Sequence, residues 1–245
     1  MIDLHCHLLP GIDDGPDTLA EALELAQLAV DDGITHAVVT PHIHPGRWNN
    51  TSRSIASKLA NFKKVLAHKC VPLQLGFAGE VRLTDQLIAQ VDNHKIPCYG
   101  EYHGHQVMLL EFPHSHIIPG SEKLVAWLLA KGITPMIAHP ERNKEIMKNP
   151  DRLNIFVKAG CLLQVTAGSV TGRFGGPARG VAMSLLEQDK VAVIASDAHN
   201  VKSRPPILSE AYVAIAKRFG EERAERLLIH TPAEIARSQF QSLAV

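Results

Sequence analysis

Short apolar runs alternate with amphipathic stretches along most of the chain, and this alternation constrains the fold more than any other feature. Seven runs have the length and composition of buried strands: Met1–His5, His36–Thr40, Leu73–Ala78, Val107–Phe112, Thr134–Ala138, Cys161–Val165 and Val191–Ala195. Helical periodicity lies between them at Leu19–Asp31, Ile55–Ala67, Thr84–Val91, Ser121–Ala130, Arg152–Lys158 and Ala178–Glu187. Because parallel strands need crossover connections, the pattern predicts an α/β fold with a parallel sheet. Seven such units favour a closed or nearly closed barrel, whose site forms at the C-terminal ends of its strands.

Local signals also place several helix ends. Thr18 and Glu21 have the spacing of a capping box, in which each side chain satisfies a backbone N–H group of the other residue. Thr231 and Glu234 repeat that spacing, with Pro232 at the first helical position. Glycines that would end helices in the left-handed conformation follow three of the helical patterns, at Gly33, Gly132 and Gly160.

The overall charge and hydropathy exclude some kinds of partner. The chain has 245 residues, with 25 basic and 25 acidic side chains, whereas a nucleic-acid surface needs clustered basic charge. No apolar run is long enough to span a membrane, and no secretory signal follows Met1. We therefore expect a cytoplasmic protein with no nucleic-acid partner and no membrane insertion. Without a visible linker or repeat, residues 1–245 are predicted to form a single domain.

Ionisable side chains cluster where the predicted strands end. The chain contains 14 histidines, and six of the seven strand ends carry His, Asp or Glu. The candidate residues at these ends are His5, His7, Asp14, His42, Glu80, Glu111, His139, Asp197 and His199. Because the C-terminal ends of parallel strands meet at one end of a barrel, these side chains are expected to converge.

Converging imidazoles and carboxylates are typical of bound cations. His5 and His7 lie two residues apart, so on a strand they share a face while Cys6 points the other way. Isolated buried carboxylates are costly unless they are paired or bound to metal, so we predict a multinuclear site. Such mixed ligands suit Mn, Fe or Zn, and two or more cations there could hydrolyse a phosphate ester. Arg142 and Arg204 follow the ligand motifs and are predicted to bind the phosphoryl group.

The ordered motifs resemble the polymerase and histidinol phosphatase (PHP) superfamily, and within it the bacterial tyrosine-protein phosphatase branch of capsule and exopolysaccharide assembly. The matching segments are MIDLHCHLLPGIDDGP at the start, TPH at 40–42, GE at 79–80, LLEF at 109–112, AHPERN at 138–143, TAGSVTGRFG at 166–175 and SDAHNVKSRPP at 196–206. HPERN and the SDAHN block with its following RPP are the most specific of these segments.

The resemblance implies a distorted (β/α)7 barrel, the PHP fold, with three metal ions that are usually manganese. One ion would take His5, His7, Glu80 and Asp197; a second would take Glu80, Glu111 and His139; the third would take Asp14, His42 and His199. A metal-activated hydroxide would attack phosphorus, with Arg142 and Arg204 on the phosphoryl group. The implied substrate is the phosphorylated tyrosine-rich tail of a membrane-associated kinase that controls polysaccharide export. Members of the family often form homo-oligomers.

Other functions compatible with the same residues are a small-molecule phosphatase, for example on histidinol phosphate, and a non-catalytic metal-bound module that docks on the kinase. The mechanism of cysteine-based tyrosine phosphatases, which place an arginine six residues after the nucleophile, is excluded, because none of the four cysteines is followed by arginine at that spacing. His44 could line the mouth of the site or donate a proton, whereas His114 and His116 are predicted to lie on the surface. Trp48 and Phe174 lie near arginines in predicted mouth loops, where ordinary packing is the simpler expectation.

Overall fold

The structure is a computed structural model that describes residues 1–240. Its strands are β1 (Ile2–Cys6), β2 (His36–Val39), β3 (His42–His44), β4 (Trp48–Asn49), β5 (Gln74–Phe77), β6 (Glu80–Arg82), β7 (Glu101–Tyr102), β8 (His105–Glu111), β9 (Ile133–Ala138), β10 (Leu162–Thr166) and β11 (Val193–Ala195). The α-helices are α1 (Leu19–Asp31), α2 (Ser52–His68), α3 (Leu87–Asp92), α4 (Ser121–Ala130), α5 (Lys144–Lys148), α6 (Asn154–Ala159), α7 (Ala167–Thr171), α8 (Gly176–Glu187), α9 (Ser209–Phe219), α10 (Glu221–Glu225) and α11 (Thr231–Ile235). In the described residues, no helix is long and apolar enough to cross a bilayer.

Parallel pairing dominates the sheet, which confirms the predicted mixed α/β class. One set of strands has the order β1-β2-β5, and the other has the order β11-β10-β9-β8-β6-β3-β4, with β7 paired to β8. Only the β3–β4 and β7–β8 pairs are antiparallel among residues 1–240. The pairings describe two sheets rather than one closed sheet, so they do not by themselves establish the predicted barrel.

The two sheets share chain segments at one end. Only Thr40 and Pro41 separate β2 from β3, and only Ala78 and Gly79 separate β5 from β6. Past the end of β11, the Asp197 N–H donates to the His5 carbonyl oxygen at 2.7 Å. The first and last strands therefore also meet at the end where the candidate residues lie.

Side-chain alternation divides the core into an inner and an outer layer. In β8, Val107 and Leu109 face the inner cluster, whereas Met108 and Leu110 pack with the outer cluster that includes residues of the surrounding helices. The pairing of β1 with β2 shifts between Asp3 and Cys6. Across this irregularity Leu4 joins the inner cluster while Cys6 joins the outer one, although regular alternation would give both residues the same face. The Cys6 thiol thus faces away from the site, as predicted, and contacts the Val38 carbonyl oxygen at 3.7 Å.

The chain signals at helix ends are confirmed at most positions. Thr18 and Glu21 form the predicted capping box, and Gly33, Gly132 and Gly160 all have positive φ. A helix, α11, begins at Thr231 as predicted, but the capping box does not form, because Thr231 has helical angles (φ −61°, ψ −43°) and continues a π-helical turn at Arg226–His230. An N-terminal cap needs an extended backbone at the capping residue, and here the preceding turn already holds the chain in a helix.

The C-terminal segment packs against the strands at the end opposite the candidate site. The Gln239 amide group donates to the Tyr99 carbonyl oxygen at 2.7 Å, and its oxygen accepts from the Phe77 N–H at 3.1 Å. Ala233, Ile235 and Ala236 complete the inner cluster beneath the strands.

Gln239 packs directly against Gly76, and a Cβ atom at position 76 would lie 2.8 Å from the Gln239 Cβ. We expect Gly76→Ala to lower the free energy of unfolding by about 1–3 kcal/mol, because the segment must shift to accommodate the methyl group. Gly180, in α8, is the matched control, because nothing lies within 4 Å of a Cβ there. Gly180→Ala should raise the unfolding free energy by about 0.5–1 kcal/mol. Urea unfolding measures both variants, and a destabilisation of equal size in both would contradict this account of Gly76.

Candidate metal centre and active site

Four donor atoms from the end of β1, the start of β6 and the loop after β11 meet in a compact buried group. They are His5 Nε2, His7 Nε2, Glu80 Oε2 and Asp197 Oδ1, and all four residues are almost fully buried. The five measured separations among these atoms lie between 3.2 and 3.6 Å. Four ligands placed tetrahedrally about 2.0–2.1 Å from a cation would lie about 3.3–3.4 Å apart. The donor set therefore fits a divalent transition-metal ion.

Neighbouring polar groups orient the two imidazoles of this group. The other ring nitrogen of His5, Nδ1, lies 2.8 Å from the Gln164 Oε1, and the His7 Nδ1 lies 2.7 Å from the Asp13 Oδ2. With Nδ1 donating to these oxygens, the Nε2 lone pairs face the donor group, as metal-ligating histidines require. Asp13 also accepts from the His42 N–H at 3.0 Å, which connects two of the strand ends.

A second donor group lies on one side of the first. The Asp14 Oδ1 is 3.2 Å from the His42 Nε2 and 3.3 Å from the His199 Nε2. The His199 Nδ1 lies 2.9 Å from the Asp197 carbonyl oxygen, so its Nε2 faces Asp14. Asp14, His42 and His199, which the family resemblance assigns to one ion, are therefore adjacent. A donor atom of His7 lies within 4.8 Å of theirs.

The remaining candidates meet around Glu80. The Glu80 Oε1 is 2.8 Å from the His139 Nε2, and its Oε2 is 2.9 Å from the His42 Nδ1. Glu111 lies with Glu80 and His42 in a third donor group, and its other oxygen pairs with the Arg82 guanidinium at 2.7 Å. Within the described residues, His139 contacts Glu80 without joining Glu111 in one donor group. The third donor group thus consists of Glu80, Glu111 and His42, whereas the family resemblance implies Glu80, Glu111 and His139 around one ion.

The imidazoles of the cluster differ in charge. Burial alone would raise the pKa of Glu80, but the neighbouring His42 and His5 hold it well below its usual value. Burial opposes protonation of His42, yet Glu80 and Asp14 raise its pKa to about 11. Asp13 similarly outweighs burial and raises the pKa of His7 to about 9. Burial and the charge of His7 instead lower the pKa of His199 to about 4. A divalent cation that binds the protonated imidazoles must displace their protons.

The two predicted phosphoryl-binding arginines converge on Asp197. The Arg204 Nη2 lies 2.5 Å from the Asp197 Oδ2, and the Arg142 Nη1 also donates to this oxygen. Burial would raise the pKa of Asp197, but His5, Arg204 and Arg142 hold it well below its usual value. Because the Asp197 Oδ1 belongs to the first donor group, the two guanidinium groups stand directly beside the candidate metal ligands.

A buried carboxylate anchors the turn that carries Arg142. The Glu141 Oε1 accepts from the Ser169 hydroxyl at 2.6 Å and from the Thr166 N–H at 3.0 Å. The Phe174 ring packs against the Arg142 guanidinium, with the guanidinium carbon 4.4 Å from the ring centroid. Phe174 therefore supports an arginine, and Glu141 fixes the HPERN turn against β10.

A cavity of about 250 Å³ opens above the donor groups. His44 and His114 line it together with the candidate ligands, and His114 is exposed at its rim. His116 is exposed, as predicted, and contacts the Ser115 hydroxyl at 2.7 Å. The Trp48 ring stacks on the His42 imidazole, with a centroid separation of 4.6 Å and an interplanar angle of 9°.

Sequence reasoning missed Arg82 and Gln164. Arg82 lies two residues after Glu80, so strand alternation could have placed both side chains on the same face. Gln164 lies on β10, the one predicted strand that does not end in an ionisable residue, and it orients His5 instead. An amide in a strand carries no charge signal that would single it out.

The stacking of Trp48 on His42 allows tryptophan fluorescence to monitor cation binding at the site. Because the indole contacts the imidazole of a candidate ligand, we expect cation binding to change the Trp48 emission. The chain has two tryptophans, so Trp127→Phe leaves Trp48 as the only indole. Titration of that variant with Zn²⁺ or Mn²⁺ should give a saturable fluorescence change, whereas the Trp48→Phe variant should give none. Equal responses from the two variants would contradict the proximity of Trp48 to a bound cation.

Comparison with known proteins places these features in a family. The model of the capsular polysaccharide synthesis family CpsB/CapC matches residues 1–237. The tyrosine-protein phosphatase YwqE of Bacillus subtilis is 35% identical over 222 residues, which cover 91% of this chain and 86% of that protein. The tyrosine-protein phosphatase CpsB of Streptococcus pneumoniae is 29% identical over 245 residues, or 98% of this chain and 100% of that protein. The chain belongs to the CpsB/CapC family.

Solved structures agree with this assignment. A crystal structure from work on YwqE of Bacillus subtilis and CpsB of Streptococcus pneumoniae, described as metal-dependent tyrosine phosphatases, superposes with a TM-score of 0.90 and 34% identity. The match covers 98% of this chain and 96% of that one. The phosphotriesterase homology protein of Escherichia coli superposes with a TM-score of 0.61 at 10% identity, over 96% and 98% of the two chains, which shows a shared fold.

Proposed function

We propose that the chain is a metal-dependent protein-tyrosine phosphatase. The observation that carries this proposal is the position of Asp197, whose two oxygens face the His5 and His7 imidazoles on one side and the Arg142 and Arg204 guanidinium groups on the other. Bound cations would stabilise charge on a reacting phosphate ester while guanidinium donors bind its other oxygens, and this site combines candidate ligands for such cations with two guanidinium groups. Membership of the CpsB/CapC family and its phosphatase relatives supports the assignment.

We assign the candidate ligands to three divalent ions. The first would be held by His5, His7, Glu80 and Asp197, the second by Glu80, Glu111 and His139, and the third by Asp14, His42 and His199. The contact of His139 with Glu80 supports its place in the second set, beside which the structure also places His42. Imidazole and carboxylate donors suit manganese, and iron or zinc would also be accepted. When bound, such ions polarise the phosphoryl group and lower the pKa of a water molecule.

The protein's own contribution is to bind and orient the ester. Arg142 and Arg204 would each donate to non-bridging phosphoryl oxygens, since guanidinium groups bind phosphate in a bidentate manner. Their positions beside Asp197 would hold phosphorus next to the donor groups. Phe174 and Glu141 keep Arg142 and its turn in place, so substrate binding would exchange the Asp197 partner of Arg142 without moving the turn.

We further propose that the chain is a single domain whose described residues, 1–240, form the distorted (β/α)7 barrel of the PHP fold; residues 241–245 of the predicted domain lie outside the described residues. Support comes from the continuity of β2 with β3 and of β5 with β6, which brings seven strand positions around one inner cluster. The bonds between His5 and Asp197 and between His7 and Ala198 would complete the circle at the site.

The substrate we infer is the phosphorylated tyrosine-rich tail of a kinase that controls capsule or exopolysaccharide assembly, reached in the cytoplasm. The family's description as capsular polysaccharide synthesis proteins supports this biological setting. The cavity's arginines and imidazoles favour an anionic ester over a neutral substrate.

Phosphate release by the full chain tests the activity. Metal-stripped protein would be assayed with and without Mn²⁺ on a phosphotyrosine peptide, with histidinol phosphate and the matching phosphoserine peptide as controls. We expect Mn²⁺-dependent release from the phosphotyrosine peptide in preference to both. Release from histidinol phosphate alone would overturn the protein substrate. Binding of the phosphorylated peptide with no release from any substrate would indicate a non-catalytic module instead.

A further inference from the structure

The hairpin of β3 and β4 brings Arg47 to the wall of the cavity that Arg142 and Arg204 also line. The Arg47 guanidinium carbon lies 4.0 Å from the centroid of the Trp48 ring, and Trp48 in turn stacks on His42. An aromatic face holds a guanidinium by its charge and leaves its N–H donors free for an anion. The hairpin therefore fixes a positive charge at a defined place beside the donor groups.

The arginines of this cavity differ in their partners. Arg142 and Arg204 pair with Asp197, and Arg82 pairs with Glu111. Among residues 1–240, Arg47 forms no ion pair with a carboxylate, although it lines the same cavity. Arg47 is also exposed, so an incoming chain can reach it. Its charge is thus available to a ligand without displacing a carboxylate of the protein.

Other basic side chains line the cavity beside Arg47. They are His44, Arg82, His114, Arg142 and Arg204. A wall that carries several basic side chains, of which Arg47 has no carboxylate partner among residues 1–240, attracts a negatively charged group.

We propose that Arg47 forms a second anion subsite, which binds a negatively charged group near the scissile phosphotyrosine in the same peptide. This inference rests on the proposed function and narrows its substrate to acidic or multiply phosphorylated tyrosine segments. The shared chemistry is a planar or tetrahedral oxyanion bound by guanidinium. Its source is either an Asp or Glu side chain or the phosphate of a second phosphotyrosine.

Peptides that differ at one position test the subsite. Three phosphotyrosine peptides would carry, at a neighbouring position, glutamine, glutamate or a non-hydrolysable phosphonate analogue of phosphotyrosine. We expect kcat/KM for the charged peptides to exceed that for the glutamine peptide about threefold to fivefold, mainly through KM, as for an exposed ion pair. The advantage should largely vanish as salt is raised from about 0.05 M to about 0.5 M. The glutamate and phosphonate arms identify which oxyanion the subsite prefers.

Variants separate a charge effect from a structural one. Arg47→Gln should bring the ratio of charged to neutral peptides to about one, and Arg47→Glu should place the charged peptides below the neutral one. Arg53→Glu, an exposed change early in α2 and outside the cavity lining, should leave the wild-type ratio intact. A wild-type ratio near one, or the same ratio in Arg47→Glu and Arg53→Glu, would overturn the subsite while leaving the phosphatase activity standing. Absence of hydrolysis for all three peptides would overturn the proposed function itself.

Discussion

Replacing Glu80 with glutamine is expected to lower kcat/KM for a phosphotyrosine peptide by about 10³-fold or more. Glu80 is the carboxylate with the most contacts to candidate ligands: its Oε2 lies 3.3 to 3.4 Å from the His5 and His7 Nε2 atoms and 2.9 Å from the His42 Nδ1. Its Oε1 lies 2.8 Å from the His139 Nε2. An amide of nearly the same shape removes the charge that would offset two cations while preserving the packing.

The loss should be accompanied by a change in metal content. We expect Glu80→Gln protein, purified and reloaded as the wild type is, to retain fewer manganese ions per chain by elemental analysis. Glu187→Gln is a matched control, because Glu187 is exposed, pairs with Arg218 at the surface and belongs to none of the three donor groups. A Glu80→Gln enzyme with normal turnover would exclude Glu80 as a shared metal ligand.

Arg142→Lys is expected to lower kcat/KM by about 10²–10³-fold with unchanged metal content. Lysine keeps the positive charge but loses the planar pair of donors that binds phosphate, and it cannot stack on Phe174 in the same way. Measurement of turnover and of bound metal on the same preparation distinguishes this effect from that of Glu80→Gln, in which both fall.

Arg204→Lys should behave like Arg142→Lys, and the double variant should lose less than the product of the two single effects. Both guanidinium groups donate to the Asp197 Oδ2, so they act as one unit rather than independently. Arg173→Lys is the control, because Arg173 pairs with Glu210 at the surface. Strict multiplicativity of the two single effects would contradict the shared geometry, and normal turnover in both would remove these arginines from the site.

Much of the fold could be predicted because its signals are local. All seven predicted strands are present, and α1 and α4 have the predicted bounds. The short strands β3 and β6 could not be predicted, since three residues after a proline or glycine carry too little periodicity. The capping box at Thr231 does not form, although α11 begins there, because the π-helical turn before it already holds Thr231 in helical angles. That turn depends on tertiary packing, which no local pattern reports.

For the candidate site, the sequence predicted where the residues lie but not how they group. Every one of the predicted residues lies at the same end of the sheet, because alternation along a strand and the common direction of parallel strands fix where a side chain must point. The grouping within the cluster was harder to predict. His42 reaches both Asp14 and Glu80 with its two ring nitrogens, and only side-chain geometry shows this. The support of Arg142 by Phe174 depends on a loop conformation for the same reason.

The shared contact of Arg142 and Arg204 with Asp197 has a consequence for turnover. Under the proposed function, a phosphoryl group that binds these guanidinium groups would exchange with a carboxylate oxygen, so its binding free energy would be a difference between two ion pairs. Inorganic phosphate would be subject to the same exchange on release, since Asp197 would take back the donors. The carboxylate would then act as an internal competitor that limits product retention.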